Sequence, residues 1–486
     1  MNYKAVLSIL GKTLLIEAIL LLFPTLVGVI YQEDNFFAFA VPVACLIAVG
    51  LPLSFIKSKD NALYAKEGFI IVSLSWIILS LIGAVPFVIS GEIPYYIDAL
   101  FETVSGFTTT GASILSTESL EGMSKAMMFW RLFTHWIGGM GILVFVLAIL
   151  PATNTGAMHV FRTESPGPSV GKLVSKLSFT ARILYAIYFV MTVLEMIFLL
   201  CGGLPLYDSI LLSFTTAGTG GFGIVSDSAM SYSTYTQIVL AVFMFLFAVN
   251  FNFYYLILIG SVGKAFRSEE VRVYFITVVL ATLVIAVNLT FAVSNMFATF
   301  GDALKHSFFQ VASISSTTGL SSHDFNAWPD LSKGILLVLT IIGACGGSTG
   351  GGMKVSRLII LFKSSASDFK KLIHPSAVIT NKFEGETLDK STERNVRTYF
   401  ILWVMIVVLV TLLLAIDPHA DLFSDFSATL ACIGNVGPGF GAVGPIYSYA
   451  AYSSFSKLLL SLVMIIGRLE IFPMLILFIP RTWKKG

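Results

Sequence analysis

The stretch Phe107-Thr108-Thr109-Thr110-Gly111 follows directly on a short apolar run, and three similar polar turns follow other short apolar runs further along the chain. These are Phe214-Thr215-Thr216-Ala217-Gly218, Ser315-Ser316-Thr317-Thr318-Gly319 and Ile433-Gly434-Asn435-Val436-Gly437. The last glycines of successive turns are separated by 107, 101 and 118 residues. A nearly constant period is typical of internal repeats, and it predicts four related units around one axis.

The composition is that of a polytopic membrane protein. Of the 486 residues 56% are hydrophobic and 12% are charged, with a mean hydropathy of +0.87, whereas a soluble domain has about 25% charged residues. The net charge of +2 gives no indication of a nucleic-acid partner. A bilayer core needs about 20 apolar residues per helix, and ten runs meet this need: 8–31, 37–56, 67–90, 127–150, 180–202, 234–262, 272–297, 331–363, 397–416 and 454–480.

Four shorter apolar stretches precede the polar turns, at 96–107, 205–214, 302–314 and 421–433. At roughly 1.5 Å rise per residue each would form a helix that reaches about half-way through a membrane. The predicted fold is therefore an all-α polytopic membrane protein with four span, half-helix, loop and span repeats around a pseudo-fourfold pore. A two-helix N-terminal prefix is expected at 1–62, and the repeats are expected at 63–165, 166–266, 267–375 and 376–486.

Basic residues predict the orientation of the chain. Lys and Arg concentrate in the segments 57–66, 162–182, 264–272, 363–397 and 481–485, which ten spans place on one side together with the N-terminus. By the positive-inside rule this side is cytoplasmic, so the half-helices enter from outside. The outer loops carry acidic residues that could concentrate cations or could form an ordinary solvated rim: Glu33, Asp34, Glu92, Glu118, Glu121, Asp227, Asp324, Asp330, Asp417 and Asp421.

The four turns offer neutral oxygen atoms, from hydroxyls and backbone carbonyls, and contain no carboxylate cluster. Such oxygens replace the hydration shell of a monovalent cation and still let it leave. The C-terminal ends of the half-helices would add partial negative charge, and glycine would let four chains approach closely. Small residues that only allow tight helix packing are the alternative, but four turns at a constant period favour a cation pathway.

The chain resembles the Trk/Ktr/HKT superfamily of potassium transporters over essentially its whole length, and specifically the Trk-type pore subunits. The resemblance is strongest at residues 105–113, 135–141, 343–354 and 434–439, and the two-helix prefix is similar to the Trk branch. It implies a potassium selectivity filter with one glycine from each repeat, Gly111, Gly218, Gly319 and Gly437. Gly111 resembles the potassium-selective form, because some relatives that admit sodium carry Ser there. The implied filter residues, whose carbonyls would bind potassium, are Thr109, Thr110, Gly111, Thr216, Ala217, Gly218, Thr317, Thr318, Gly319, Asn435, Val436 and Gly437.

The resemblance also implies a homodimer in the bacterial cytoplasmic membrane. A ring of cytoplasmic nucleotide-binding regulatory subunits would bind ATP/ADP or NAD(H). This chain itself is expected to bind no cofactor, and potassium is its substrate. The polar segments near 152–180 and 364–396 are long enough to dock such a partner.

The predicted span 331–363 is longer than one crossing needs, and six of its ten residues at 343–352 are glycine. Each glycine costs about 1 kcal/mol in a helix interior, so helices are expected at 331–342 and 354–363 with a flexible loop between them. This loop is predicted to gate the pore below the filter, as the resemblance also implies, through Gly343, Gly346, Gly347, Ser348, Thr349, Gly350, Gly351, Gly352 and Lys354. A nucleotide P-loop is the alternative, but Val355 stands where that motif has Ser or Thr.

The last span carries two charges, Arg468 and Glu470. A charge near the bilayer centre costs about 2.5–3.5 kcal/mol, so Arg468 should face a water-filled pore. Residues two apart on a helix lie on different faces, and the two are not expected to pair. The resemblance implies that Arg468 projects into the pore near the glycine-rich loop, where its charge would raise the barrier for a cation. A structural ion pair with an acid such as Glu195 is the alternative.

The sequence contains no nucleophile–base motif and no metal-ligand spacing, so no enzyme is predicted. The main hypothesis is potassium uptake through a channel-like pore. Two other classes stay open. One is a symporter that couples potassium to sodium or protons, for which Glu470 is the nearby ionisable residue, and the other is a regulatory or scaffold membrane protein without flux.

Overall fold

The computed structural model describes residues 1–56, 65–141, 177–292, 296–376 and 379–483. Most of these residues are helical, and one antiparallel hairpin of β1 (Lys382–Phe383) and β2 (Glu386–Thr387) pairs Lys382 with Thr387. Short 3-10 turns lie at Phe325–Ala327, Gly441–Val443, Tyr449–Ala451 and Pro480–Trp483. The α-helices are α1 (Tyr3–Ile30), α2 (Phe36–Ser54), α3 (Ala65–Gly83), α4 (Val85–Ile89), α5 (Tyr96–Phe107), α6 (Thr117–Glu121), α7 (Lys125–Gly139), α8 (Leu177–Cys201), α9 (Leu206–Gly218), α10 (Thr234–Phe247), α11 (Phe251–Leu258), α12 (Val262–Ala265), α13 (Glu269–Ala292), α14 (Phe300–Ser315), α15 (Asp330–Ile342), α16 (Val355–Ile373), α17 (Lys390–Leu414), α18 (Leu422–Ile433), α19 (Ser454–Arg468) and α20 (Ile471–Leu477).

Six helical segments in the described part of the chain are long and apolar enough to cross a membrane. Two form the prefix, and the others are the first span of each repeat. Their outward faces are apolar, as at Phe291 (82% exposed) and Leu412 (61% exposed), which suits contact with lipid rather than water. The six are Tyr3–Ile30, Phe36–Ser54, Lys66–Ile89, Ala181–Cys201, Glu269–Phe291 and Lys390–Leu414.

The two helices of the prefix pack closely against each other along their length. A Cβ atom at Gly50 would come within 3.0 Å of the Gly11 carbonyl oxygen, and one at Gly11 within 2.6 Å of Leu53 Cβ. Small residues of this kind let membrane helices approach backbone to backbone. The prefix is attached to the first repeat, because the Glu33 carboxylate accepts hydrogen bonds from the Lys125 and Ala126 N–H groups at the start of α7.

In repeats 2, 3 and 4 the second span is interrupted rather than continuous. In the first repeat α7 ends at Gly139, and the part of the predicted span 127–150 beyond residue 141 lies outside the described ranges. In the second repeat α10 and α11 are bent by 88°. The break between α15 and α16 was predicted from the glycines. The last span breaks after Arg468, where Glu470 has a φ of +66°.

The predictions of continuous spans at 234–262 and 454–480 were therefore wrong. In the second repeat the cause is a tertiary contact: Phe251 N–H donates to the Gly347 carbonyl oxygen at 3.0 Å, and the Asn250 side chain caps the new helix. These two hydrogen bonds satisfy backbone N–H groups at the start of α11, which in a continuous helix would have bonded to the preceding turn. No run of glycines or prolines marks this break in the sequence.

The four predicted half-helices are present as α5, α9, α14 and α18, which we call the pore helices. Each is 12 to 16 residues long. Their C-terminal halves are buried inside the ring of spans, which is required of backbone ends that lie at membrane depth. The predicted boundaries 266/267 and 375/376 fall between helices, and those near 62 and 165 lie outside the described residues.

Candidate cation pathway

Each pore helix ends in the same backbone turn. The chain enters the left-handed region at Thr109, Thr219, Thr317 and Asn435, with φ between 53° and 63°. The N–H of the following residue then donates to the carbonyl five positions earlier, at 2.8–2.9 Å. This hydrogen bond closes helix C-termini. It aligns the four turns by geometry, independently of residue type.

A glycine with positive φ lies two residues after each of these positions: Gly111 (80°), Gly221 (85°), Gly319 (85°) and Gly437 (94°). Each lies so close to the next repeat that an added Cβ atom would overlap a backbone carbonyl oxygen. The contacts run from repeat 1 through 2, 3 and 4 and back to 1, and the oxygens belong to Gly220, Thr318, Val436 and Thr110 in that order. We call this closed arrangement the glycine ring, and only glycine fits its four corners.

The second repeat departs from the sequence prediction by three residues. Residues 219–221 occupy the positions that 109–111 occupy in the first repeat. The helix α9 continues to residue 218, so the predicted ring residues of this repeat are helical and were assigned wrongly: Thr216, Ala217 and Gly218. The error arose because residues 214–216 copy the Phe-Thr-Thr of the first repeat while the helix runs on past them.

One signal in the sequence could have found the correct register. Gly111, Gly221 and Gly437 each lie 15 residues after the first residue of their pore helix. In the second repeat Pro205 precedes that first residue and marks the helix start. Counting from the start of the helix therefore locates Gly221, which matching residue types at its end does not, although in the third repeat Gly319 lies 19 residues after the first helical residue Phe300.

A cavity of about 340 Å³ opens on one face of the glycine ring, and all four ring glycines line it. Its wall comes from segments that follow the turns, including Ser113, Phe222 and Tyr449. The pore helices enter from this side, which the positive-inside rule predicts to be the outside. The ring is thus accessible from one side through an open mouth.

Several acidic residues of the predicted outer rim have structural partners. Asp421 caps α18 by accepting hydrogen bonds from the Ser424 hydroxyl and N–H, and the hydroxyl bond holds the pKa of Asp421 below its usual value. Asp324 caps a 3-10 turn through the Asn326 N–H at 3.0 Å. These contacts give both carboxylates a role in helix capping.

On the opposite face of the ring two buried side-chain oxygens, Thr109 Oγ1 and Asn435 Oδ1, have no hydrogen-bond partner among the described residues. The amide of Asn435 is held in place because its Nδ2 donates to Thr110 Oγ1 at 3.0 Å and to the Met464 carbonyl at 2.9 Å. Buried polar atoms normally have a partner. These two oxygens therefore have hydrogen-bonding capacity that the described protein atoms do not use.

The glycine-rich loop (residues 343–353) lies against this face of the ring. The Gly351 N–H donates to Thr317 Oγ1 at 2.6 Å. A Cβ atom at Gly350 would come within 2.6 Å of the Ser316 carbonyl oxygen, and one at Gly351 would overlap the Gly434 carbonyl oxygen. The loop is thus packed under the turns of repeats 3 and 4. Its end is held by Lys354, whose Nζ donates to the Gly350 carbonyl.

Arg468 connects this loop with the first repeat. Its Nη1 donates to the Thr349 carbonyl at 2.7 Å, and its Nη2 donates to the Gly139 carbonyl at 2.7 Å and also to that of Gly138. The last two carbonyls form the C-terminal end of α7, which attracts positive charge. The Glu195 carboxyl lies beside the Thr216 side chain, and in the described part of the chain it makes no hydrogen bond to Arg468, so the alternative pair is not formed.

The sequence profile of the TrkH family, described as a cation transport protein, matches residues 34–485. The chain belongs to the TrkH family. It is 34% identical to the Trk system potassium uptake protein TrkH of Salmonella typhimurium and 33% identical to that of Escherichia coli, with both chains covered completely in each case. The crystal structure of the potassium transporter TrkH from Vibrio parahaemolyticus matches it with a TM-score of 0.88 at 31% identity, again with both chains fully covered.

Family and fold were both predicted correctly, and the structure adds residues of this TrkH-family chain that the sequence did not reveal. Glu470 pairs with Arg357 rather than with Arg468, as expected, although the two charges lie on either side of a helix break and not on one helix. The Arg357 guanidinium also lies over the Tyr399 ring, 4.1 Å from its centroid. The charge of Glu470 is therefore balanced by Arg357, a residue more than 100 positions away in the sequence.

Glu270 is a second residue that the sequence did not reveal. Its carboxylate is buried and accepts hydrogen bonds from Gly346 N–H (2.7 Å), Ser356 N–H (3.1 Å) and Asn250 Nδ2 (3.4 Å). It thereby joins the start of the glycine-rich loop, the start of α16 and the bend between α10 and α11. Hydrogen bonds to a charged acceptor contribute about 1.5–3 kcal/mol each, so Glu270 anchors the loop.

On the prediction that the glycine-rich loop gates the pore, Glu270→Ala is expected to release the loop and to raise the open probability by about tenfold or more, since at least one charge-assisted bond is lost. Single-channel recording of the purified protein measures this directly. Glu269→Ala is the matched control, because Glu269 is adjacent but pairs with Lys363. An open probability unchanged in Glu270→Ala, or equally raised in Glu269→Ala, would contradict the anchor role.

Proposed function

We propose that this TrkH-family chain takes up potassium across the bacterial cytoplasmic membrane through a channel-like pore whose selectivity filter is the glycine ring. The observation that carries the proposal is the closed circuit of four glycine–carbonyl contacts. Such a circuit brings carbonyl oxygens from four repeats to one axis, which is how proteins replace the hydration shell of a monovalent cation. The names of the relatives, potassium uptake proteins, agree with this choice of ion.

The filter in this proposal consists of residues 109–111, 219–221, 317–319 and 435–437. The unpartnered oxygens Thr109 Oγ1 and Asn435 Oδ1 add neutral ligands on its inner side. Neutral oxygens suit a monovalent ion, because carboxylates would hold a cation too firmly for rapid release. Both termini of the chain are proposed to lie in the cytoplasm.

The gate in this proposal is the glycine-rich loop together with Arg468. The loop occupies the space directly under repeats 3 and 4, and Arg468 fastens it to α7 in repeat 1. Lys354 adds a second cation at the end of the loop. Opening requires the loop to leave this position, and its many glycines make alternative backbone conformations accessible.

Coupled symport is less well supported by the contacts. The ionisable residue that could have taken part in coupling, Glu470, is engaged by Arg357. Single-channel recording separates the two mechanisms, because steady currents that reverse at the potassium equilibrium potential exclude obligatory coupling.

A cytoplasmic partner would act on the loop through the hairpin β1–β2. Glu384 in its turn accepts hydrogen bonds from Ser268 Oγ and from the N–H of Glu270, the residue that anchors the loop. Lys363 in α16 donates to the Lys382 carbonyl of the same hairpin. We propose that a nucleotide-binding regulatory ring, with ATP/ADP or NAD(H) bound to it, docks near 364–396 on a homodimer of this chain.

Cation flux into liposomes tests the proposed function. The wild-type protein should carry potassium in preference to sodium, and Gly111→Ser should lose much of this preference, because the added side chain meets the Gly220 carbonyl. Protein without any flux would point to a scaffold role. Equal selectivity in the wild type and in Gly111→Ser would refute the filter assignment.

A further inference from the structure

Behind the open mouth of the glycine ring lies a buried ion pair that the proposed mechanism does not use. Arg131 on α7 and Glu102 on α5 are 2% and 1% exposed, and Arg131 Nε lies 2.7 Å from Glu102 Oε1. Burying two charges is costly unless further hydrogen bonds satisfy their remaining donors and acceptors. The hydrogen bonds that satisfy the pair therefore indicate which parts of the structure it holds in place.

The remaining hydrogen bonds go to backbone and side chains just beyond the ring. Glu102 Oε1 accepts from Ser113 Oγ at 2.9 Å, and Oε2 accepts from Ile114 N–H at 3.0 Å. Arg131 Nη1 donates to the Gly223 carbonyl at 3.0 Å, and Nη2 donates to Ser113 Oγ at 3.3 Å. Ser113 and Gly223 each lie two residues after their ring glycine. The Arg131–Glu102 pair therefore hydrogen-bonds to equivalent positions of two adjacent repeats.

Two further contacts extend this connection. The Arg131 guanidinium lies over the Phe222 ring, 3.7 Å from its centroid. The Ser113 carbonyl accepts from Tyr449 N–H at 2.8 Å, and the Tyr449 hydroxyl donates to the carbonyl of the ring glycine Gly437 at 2.8 Å. A continuous chain of contacts therefore joins repeats 2, 1 and 4 around the mouth of the ring.

We propose that Arg131 and Glu102 are positioning residues that set the width of the ring between repeats 1 and 2, and through it the preference among monovalent cations of different size. The proposal rests on the glycine ring being the filter. The planar guanidinium reaches three acceptors at fixed angles, which a lysine cannot do. The pair is neutral as a unit, so it holds the mouth open without repelling a cation.

The test measures relative permeabilities of sodium, potassium and rubidium from reversal potentials of the full-length protein in bilayers. Arg131→Lys keeps the positive charge but removes the planar guanidinium with its several N–H donors. It should lower the potassium-to-sodium permeability ratio about tenfold, as expected for loss of one charge-assisted hydrogen bond. The double variant Glu102→Gln with Arg131→Gln is also neutral as a unit but lacks the guanidinium, and it should be poorly selective. A wild-type ratio in the double variant would mean that neutrality of the pair is enough and would overturn the proposal.

Two further variants guard against a general folding effect. Ser113→Ala removes one hydroxyl from the cluster and leaves the ion pair, and it should lower the ratio by a few-fold. Asp98→Asn breaks the other partly buried pair of a pore helix, with Lys457 at 2.7 Å, and should keep the wild-type ratio. A wild-type ratio in Ser113→Ala and Arg131→Lys, or a lowered ratio in Asp98→Asn, overturns the proposal. Absence of selective flux in the wild type would instead remove the proposed function itself.

Discussion

Gly221→Ser is expected to reduce the potassium-to-sodium selectivity of this protein by about tenfold or more, an effect as large as that of Gly111→Ser. Both glycines have positive φ, and at both an added Cβ would overlap a carbonyl oxygen of the next repeat. A serine can be accommodated only if that carbonyl moves, and a shift worth about 1.4 kcal/mol already changes an equilibrium tenfold. Flux of each cation into liposomes provides the measurement.

Thr216→Val provides the matched control for the register of the second repeat. Residue 216 lies inside α9 and outside the ring, where the isosteric exchange removes only a hydroxyl that lies beside the buried Glu195 carboxyl. Selectivity should stay at the wild-type value, although matching by residue type had placed Thr216 in the filter. Loss of selectivity in Thr216→Val with none in Gly221→Ser would restore the register predicted from the sequence.

Arg468→Ala is expected to raise potassium flux by about tenfold or more at a fixed driving force. At an effective dielectric constant near 20, two unit charges about 7 Å apart repel by about 2 kcal/mol, and in the proposed pathway a barrier of this order would disappear with the guanidinium. The substitution also removes the hydrogen bonds to the Thr349 and Gly139 carbonyls, so the loop loses its attachment to the first repeat. Unitary current and open probability, recorded separately, distinguish the two contributions.

Arg468→Lys distinguishes the effect of the positive charge from that of the hydrogen bonds between the loop and the first repeat. Lysine keeps the positive charge but cannot span the carbonyls of two repeats at once. We expect its unitary current to stay close to that of the wild type while its open probability rises. Unchanged current and open probability in Arg468→Ala, with protein that still elutes and melts like the wild type, would rule out a role of Arg468 in the gate.

Repeat period, half-length helices and the glycine-rich break could all be predicted, because each depends on local sequence. The pore helix 422–433 was predicted at 421–433, within one residue of its start, because hydrophobic length is a local signal. The predicted filter residues of the second repeat lie outside the glycine ring for a reason that is not local. A helix that ends in a polar turn can end at any of several residues, and the packing of the neighbouring repeat decides which.

Partners distant in sequence account for the remaining differences. Glu270 anchors a loop 76 residues away, and Glu470 pairs with Arg357 at a separation of 113 residues. A single sequence without related ones gives no information about such pairs, because charge and hydropathy patterns report only on neighbours along the chain. The bend at Asn250 was missed for the same reason.

The sequence by itself determined that this chain is a helical membrane protein with four repeats, each with a half-helix and a polar turn, because burial in lipid imposes lengths and polarities that can be read residue by residue. Only the tertiary structure decided which glycine of the second turn belongs to the ring and which charges hold the ring and the loop in place. Both features depend on close contacts between repeats about 100 residues apart. In the ring, one added Cβ atom would already overlap a carbonyl oxygen of the next repeat.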